Sequence, residues 1–169
     1  MAHATPARQP SPTQPASLQL QPLDRLVGHW TSESAHPALP GITVNGTLSA
    51  EWLEGGHFLI IRTTNDRPDF PDAVSILGFS HLDRVPDPDD VIHPGQRMAM
   101  HYFDSRGVSR VYEALVDAAT WRLFRNAPGF AQTFVGEFAD DGDTVLGQWQ
   151  VCEDGATWQN DLKVVYRRR

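Results

Sequence analysis

Thr43-Val44-Asn45-Gly46-Thr47-Leu48-Ser49-Ala50-Glu51-Trp52-Leu53, then Glu54-Gly55-Gly56, then His57 to Asn65, is the stretch that decides the fold class. Val44, Leu48, Ala50 and Trp52 fall on one face of an extended chain, and Asn45, Thr47, Ser49 and Glu51 fall on the other. A period of two with one apolar face is the pattern of a strand that covers a core. Glu54-Gly55-Gly56 supplies a tight turn, so the unit is a β-hairpin. Outward from it the pattern repeats. Upstream lies a strand from Gly28 to His36, ended by Pro37 and the Pro40-Gly41 turn. Downstream, strands are predicted over Ala73 to Leu82, Arg97 to Asp104, Val108 to Val116, Thr120 to Asn126, Phe130 to Ala139, Thr144 to Glu153 and Thr157 to Arg168. Turn residues about every ten positions, and no long helical pattern, predict an all-β fold: one antiparallel up-and-down barrel of about ten strands. Leu23, Leu26 and Val27 at i, i+3 and i+4, stopped by Gly28, predict a short helical turn plugging one end.

Two domains of behaviour are expected. Residues 1 to 19 are Ala, Pro, Gln, Ser and Thr with almost no large apolar side chain, the composition of a disordered tail. Residues 20 to 169 form the barrel. The chain of 169 residues is 40% hydrophobic and has five Trp, enough large aromatics to fill a barrel without helices. Its net charge is −7, and basic residues concentrate only at Arg167-Arg168-Arg169, which reads as a solvated end. A nucleic-acid partner is therefore not expected. No apolar run reaches membrane-spanning length, and Met1 to Ser17 lacks a signal-peptide core, so a cytoplasmic location is expected. The single cysteine, Cys152, excludes an intrachain disulfide and a multi-cysteine zinc site, and reads as a packing residue. The loop from Asp83 to Gln96 carries Asp87, Asp89 and Asp90 without the spacing of an EF-hand, and reads as a solvated connection. No metal site is expected.

A barrel of about ten strands is wider than the eight that side chains just fill, so a pocket is expected. Phe130, Phe134 and Phe138 share a face with Gln132; Val145, Trp149 and Val151 share another; Trp158, Leu162, Val164 and Tyr166 form the last. The polar residues placed on inward faces are Ser32, Ser34, His36, Arg62, Tyr102, Asp104, Arg110, Tyr112, Arg125 and Gln132. From these sets the expected ligand-binding residues are His36, Trp52, Arg62, Tyr102, Tyr112, Arg125, Gln132 and Trp149. An inward guanidinium needs an anion. Arg62 and Arg125 therefore imply either an internal salt-bridge network or a site for an anionic head group. The densest run of chemically capable groups is His101-Tyr102-Phe103-Asp104-Ser105-Arg106-Gly107. His101, Tyr102 and Asp104 are its catalytic candidates. His101 and Asp104 have opposite parity, which separates them in a regular strand, and Asp104-Ser105-Arg106-Gly107 is also ordinary turn chemistry.

Gly28-His29-Trp30 at the first strand resembles the opening of a calycin, the superfamily of lipocalins and fatty-acid-binding proteins. With Glu51 to Gly56, Met100 to Gly107, and Asp154-Gly155 through Trp158 to Tyr166, the chain resembles an uncharacterised lipocalin-like family of bacterial proteins over residues 23 to 168. That family is similar to nitrobindins, ten-stranded haem-binding barrels. The resemblance implies the barrel and carries no settled activity. Nitrobindins hold haem through a histidine on a C-terminal strand. Trp158 to Arg168 contains no histidine, and Thr31-Ser32-Glu33-Ser34 replaces the glycine-rich opening. Haem is therefore disfavoured and no cofactor is expected. Two readings remain: a barrel that binds a small hydrophobic or amphipathic molecule, or an enzyme on the same barrel (a cyclase, isomerase or hydrolase).

Overall fold

The hairpin centred on Gly55-Gly56 sets the register of the whole molecule. In the computed structural model, which describes residues 14–79 and 98–169, Trp52 pairs with Leu59 and Ala50 with Ile61. Directly opposed residues share a face. Leu59 and Ile61 are therefore buried with Trp52 and Ala50, and everything of the opposite parity faces out. Ten strands follow one another around a closed antiparallel barrel: β1 (Gly28–Ala35), β2 (Val44–Trp52), β3 (Phe58–Asn65), β4 (Ala73–Phe79), β5 (Met98–Asp104), β6 (Ser109–Val116), β7 (Thr120–Arg125), β8 (Ala131–Phe138), β9 (Thr144–Cys152) and β10 (Gln159–Arg168). Each pairs with its neighbours in sequence, and β1 closes the ring on β10. The ends of β4 and β5 expected beyond Phe79 and before Met98, and the Asp83 to Gln96 loop, lie outside the described residues. Among the described residues no helix is long and apolar enough to cross a membrane.

One end of the barrel is closed. A short 3-10 helix, Leu18–Arg25, covers it and buries Leu20 and Leu23, with Leu26 just beyond. Its apolar spacing drives it into the barrel end; Pro22 and the short run keep it to about two turns. Both tryptophan indoles at this end are paired, whereas Ser17 Oγ and Arg25 Nε are buried without a partner among the described residues. The Trp30 indole donates to the Leu26 carbonyl at 2.9 Å, and the Trp52 indole to Asp24 at 2.8 Å. Arg168 donates to the carbonyls of Val27 and Arg25, which end the helix, and lies over the Trp30 ring at 4.0 Å. Arg167, in a surface pair with Glu33, and Arg169 are exposed as expected of a solvated end; Arg168 departs from it and clamps the plug. Of the expected tail, residues 1–13 lie outside the described residues. Within the rest, the Ala16 N–H donates to the Gly56 carbonyl and the helix begins at Leu18.

Two irregularities shape the open end. Between Asn160 and Lys163 the β9–β10 register shifts, an extra residue on β10. A bulge re-aims side chains: Asp161 and Leu162 both reach the barrel mouth, and parity upstream is reversed. Trp158, expected on the inward face with Leu162, is instead exposed and packs near Phe124 on the outside. The second irregularity is a seam. β6 and β7 pair from Glu113↔Phe124 to Val116↔Trp121 only, so Ser109 to Tyr112 have no partner on β7.

Candidate functional site

The open half of the barrel encloses a chamber of about 470 Å³. Its two walls differ. Strands β1 to β4 contribute small polar side chains: Ser32, Ser34, Thr63 and Ser75. Strands β5 to β10 contribute rings. Tyr102, Tyr112, Trp149, Phe134, Trp121 and Tyr166 form a continuous series with successive centroids 6.5, 5.7, 5.0, 5.0 and 6.3 Å apart, mostly edge-to-face as aromatic quadrupoles prefer. The ring of Phe134 needs Gly147: a Cβ there would stand 2.6 Å from it. Small residues on one side and rings on the other leave the centre hollow.

Three polar clusters surround the mouth. In the first, Tyr102 donates to Asp104 at 3.0 Å. Asp104 also accepts from Arg106 at 2.7 Å and from the backbone N–H groups of Arg106 and Val108. Burial pushes the Asp104 carboxyl up, but the donors from Arg106, Val108 and Tyr102 outweigh it and hold it at about 2. Burial, and then the bond to Asp104, raise the Tyr102 hydroxyl well above its ordinary value. In the second cluster Gln132 Oε1 accepts from Tyr112 at 2.7 Å and from Arg110 at 3.2 Å. In the third His36 Nε2 lies 2.8 Å from Asp161, while its Nδ1 accepts the Ala38 N–H at 3.1 Å. An Nδ1 that accepts leaves the proton on Nε2, facing the carboxylate. At the chamber's inner end burial pushes the Tyr166 hydroxyl up to about 12.

The structure brings His36, Tyr102, Tyr112, Gln132 and Trp149 to one chamber. It separates the other expected ligand residues. Arg62 is a correction: it lies on the outer face, bound to Glu51 at 2.6 Å and about half exposed. Phe58-Leu59-Ile60-Ile61 is apolar at every position, so alternation could not choose its inner face; the pairing with Trp52 does. Trp52 is buried but belongs to the closed end. Arg125 has inward parity at the strand's end, where its guanidinium donates to the Phe130 carbonyl at 2.7 Å. The catalytic candidates divide as parity required. Tyr102 and Asp104 point inward together, whereas His101 lines an outer groove of about 700 Å³ between β5 and β7. Asp104 is fully occupied by its turn, Tyr102 and Arg106.

Sequence reasoning missed Asp161, because a bulge has no signature in this strand. It also missed Ser75 and Trp121, whose neighbours alternate regularly and could have been counted. Arg110 was placed inward and given no role. His36 is the one histidine lining the chamber among the described residues, and both its nitrogens are committed. The chamber as described therefore does not fit a haem held by histidine. Among the described residues no group of three or more His, Cys, Asp or Glu could hold a metal ion. Cys152 is buried, with its sulfur 3.5 Å from Asp154.

No protein-family model and no curated protein matches the chain. Among solved structures it is similar to the crystal structure of Rv2717c from M. tuberculosis, with 17% identity over 90% of this chain and 98% of that one, at a TM-score of 0.61. It is also similar to the S-type phycobiliprotein lyase CPES from Guillardia theta, with 13% identity over 87% of this chain and 90% of that one, at a TM-score of 0.49. At this identity the first likeness shows a shared fold.

Proposed function

We propose that this protein binds a small, mostly apolar molecule with one polar or anionic end, held in the chamber of the open half-barrel. The observation that carries the reading is the state of the small-residue wall. Ser32, Ser34 and Ser75 are each about 7% exposed and line the chamber, and their hydroxyls have no partner among the described residues. These hydroxyls are open to the chamber rather than sealed in its wall, so a ligand there can hydrogen-bond them. The volume, about 470 Å³, lies in the range of ligand pockets, and the ratio of rings to polar groups is that of a site for a flat or elongated apolar body. The enzyme reading has less support: His101 is on the other side of the wall from Tyr102, and Tyr102 is held protonated.

The test is to fill the chamber. Naphthalene-type probes should quench Trp fluorescence in the parent, because Trp149 and Trp121 line the cavity. Ser75→Phe should remove that quenching while leaving the circular dichroism spectrum unchanged. Undiminished binding by a folded Ser75→Phe variant would place the probe elsewhere and defeat the reading. Native mass spectrometry of the purified protein would identify a co-purified occupant directly.

A further inference from the structure

The seam between β6 and β7 gathers two guanidiniums and an amide, all donors. Arg110, on the unpaired part of β6, is half-buried and stacks on the Phe130 ring at 4.9 Å. Arg125, at the end of β7, is half-buried and reaches the carbonyl of the same Phe130. Two guanidiniums therefore converge on one residue, and among the described residues neither has a carboxylate partner. Like charges this close repel unless an anion lies between them. The third member is Gln132, only 6% exposed. An arginine can only donate, so the Gln132 oxygen must face Arg110, and it also accepts from Tyr112. That leaves the amide nitrogen as a donor with no acceptor among the described residues, open to the chamber rather than sealed in its wall. The groove's one carboxylate, Glu113, is on the outward parity of β6, three residues toward the closed end. Arg110 and Tyr112 line the outer groove and the chamber alike, so the seam joins the two spaces.

We propose that this seam is an anion subsite, in which Arg110, Arg125 and the Gln132 amide hold the carboxylate or similar head group of a ligand whose apolar body lies in the chamber. It rests on the chamber reading and adds the ligand's charge class and the place of its charged end. The pair of arginines differs from the pair the alternation suggested: Arg110 stands where Arg62 was expected. The guanidinium fork suits a carboxylate, and Phe130 holds one fork flat before the ligand arrives.

The experiment compares 2-naphthaleneacetate with the neutral 2-naphthaleneacetamide by calorimetry. The parent should bind the acid roughly tenfold or more tightly, with a preference that shrinks as salt rises. Arg110→Met with Arg125→Met should abolish the preference and leave the amide within about twofold of the parent. A second measurement needs no variant: the Nε–H resonances of Arg110 and Arg125 in the parent should shift with the acid and not with the amide. Equal binding of acid and amide to the parent, or arginine resonances that ignore the acid, overturns the subsite and leaves the chamber intact. If neither probe binds, the chamber reading falls with it.

Discussion

At the closed end of the barrel Trp30 and Trp52 each give their indole proton to an acceptor, Leu26 O and Asp24. In the open half the Trp121 indole N–H is buried with no partner among the described residues, and the hydroxyls of Ser32, Ser34 and Ser75 face the chamber. The same residue types are used at both ends, and burial is as deep: Trp30 is 2% exposed and Trp121 is 5% exposed. What separates these tryptophans is whether the indole proton finds an acceptor within the chain. The closed end is packed as a core around the helix, Arg168 and two tryptophans, with Ser17 Oγ and Arg25 Nε left unpartnered among the described residues. The open half is packed on its aromatic side only, and its remaining valences face space. The tryptophans are thus told apart by their indole partners and by the volume beside them, not by burial.

The largest test of that contrast is truncation of an equivalent ring in each half. Trp30→Ala removes a ring packed against Arg168 and the helix, and should cost roughly 3–5 kcal/mol in urea unfolding. Trp149→Ala removes a half-buried ring that already borders empty volume. It should cost clearly less, since the lost contacts are on one side only. Equal costs would break the comparison, because they would mean that the chamber side is packed as tightly as the plug.

Much of this was legible beforehand, and the exceptions have physical causes. Alternation in Val44 to Trp52 fixed the inner face of β2, and Trp30, Ser32 and Ser34 followed for β1. Tyr102, Arg110, Tyr112 and Gln132 face inward as expected because they share parity with the buried Met100, Ala114 and Phe134 of their own strands. Arg62 failed where the strand is apolar on both faces, and counting back from Trp52 across the turn would have corrected it. Trp158 and Asp161 failed at one bulge, an inserted residue that reverses parity without changing composition. The seam was invisible for another reason: strand length says where pairing is possible, and only the register shows that β7 ends before Ser109 to Tyr112 find partners.

A smaller effect, with a sign that can be checked, concerns the mouth cluster around Asp104. Its folded pKa, about 2, lies below the 3.8 of a free carboxyl. The carboxylate therefore contributes stability that is fully present above about pH 4 and is lost as the pH falls toward 2. Asp104→Asn should lower stability at neutral pH and flatten that acid limb, measured as urea midpoints between pH 2 and pH 5. A variant with an unchanged acid limb would show that other groups, among them Asp117, Asp141 and Asp154, which their own turns also hold low, carry the whole dependence. The chamber should still bind its probes at neutral pH, since Tyr102 keeps an acceptor in the amide oxygen.

The smallest effect is the sharpest for the comparison, because it pairs a single hydrogen-bonding group from each half. Trp52→Phe keeps the ring's bulk, removes the indole donor and leaves Asp24 without its partner. It should cost about 1 kcal/mol or somewhat more, because the orphaned acceptor is a carboxylate. Ser75→Ala removes a hydroxyl that has no partner to orphan among the described residues. Its removal replaces a group dependent on the chamber's contents with a methyl that depends on nothing, so the stability of the empty protein should move by no more than about 0.5 kcal/mol, in either direction. If Ser75→Ala cost as much as Trp52→Phe, the serine would have an acceptor inside the chain, and the small-residue wall would be core. A near-zero cost for the serine beside a measurable one for the tryptophan would support the proposal that the serine wall serves a ligand and not the core.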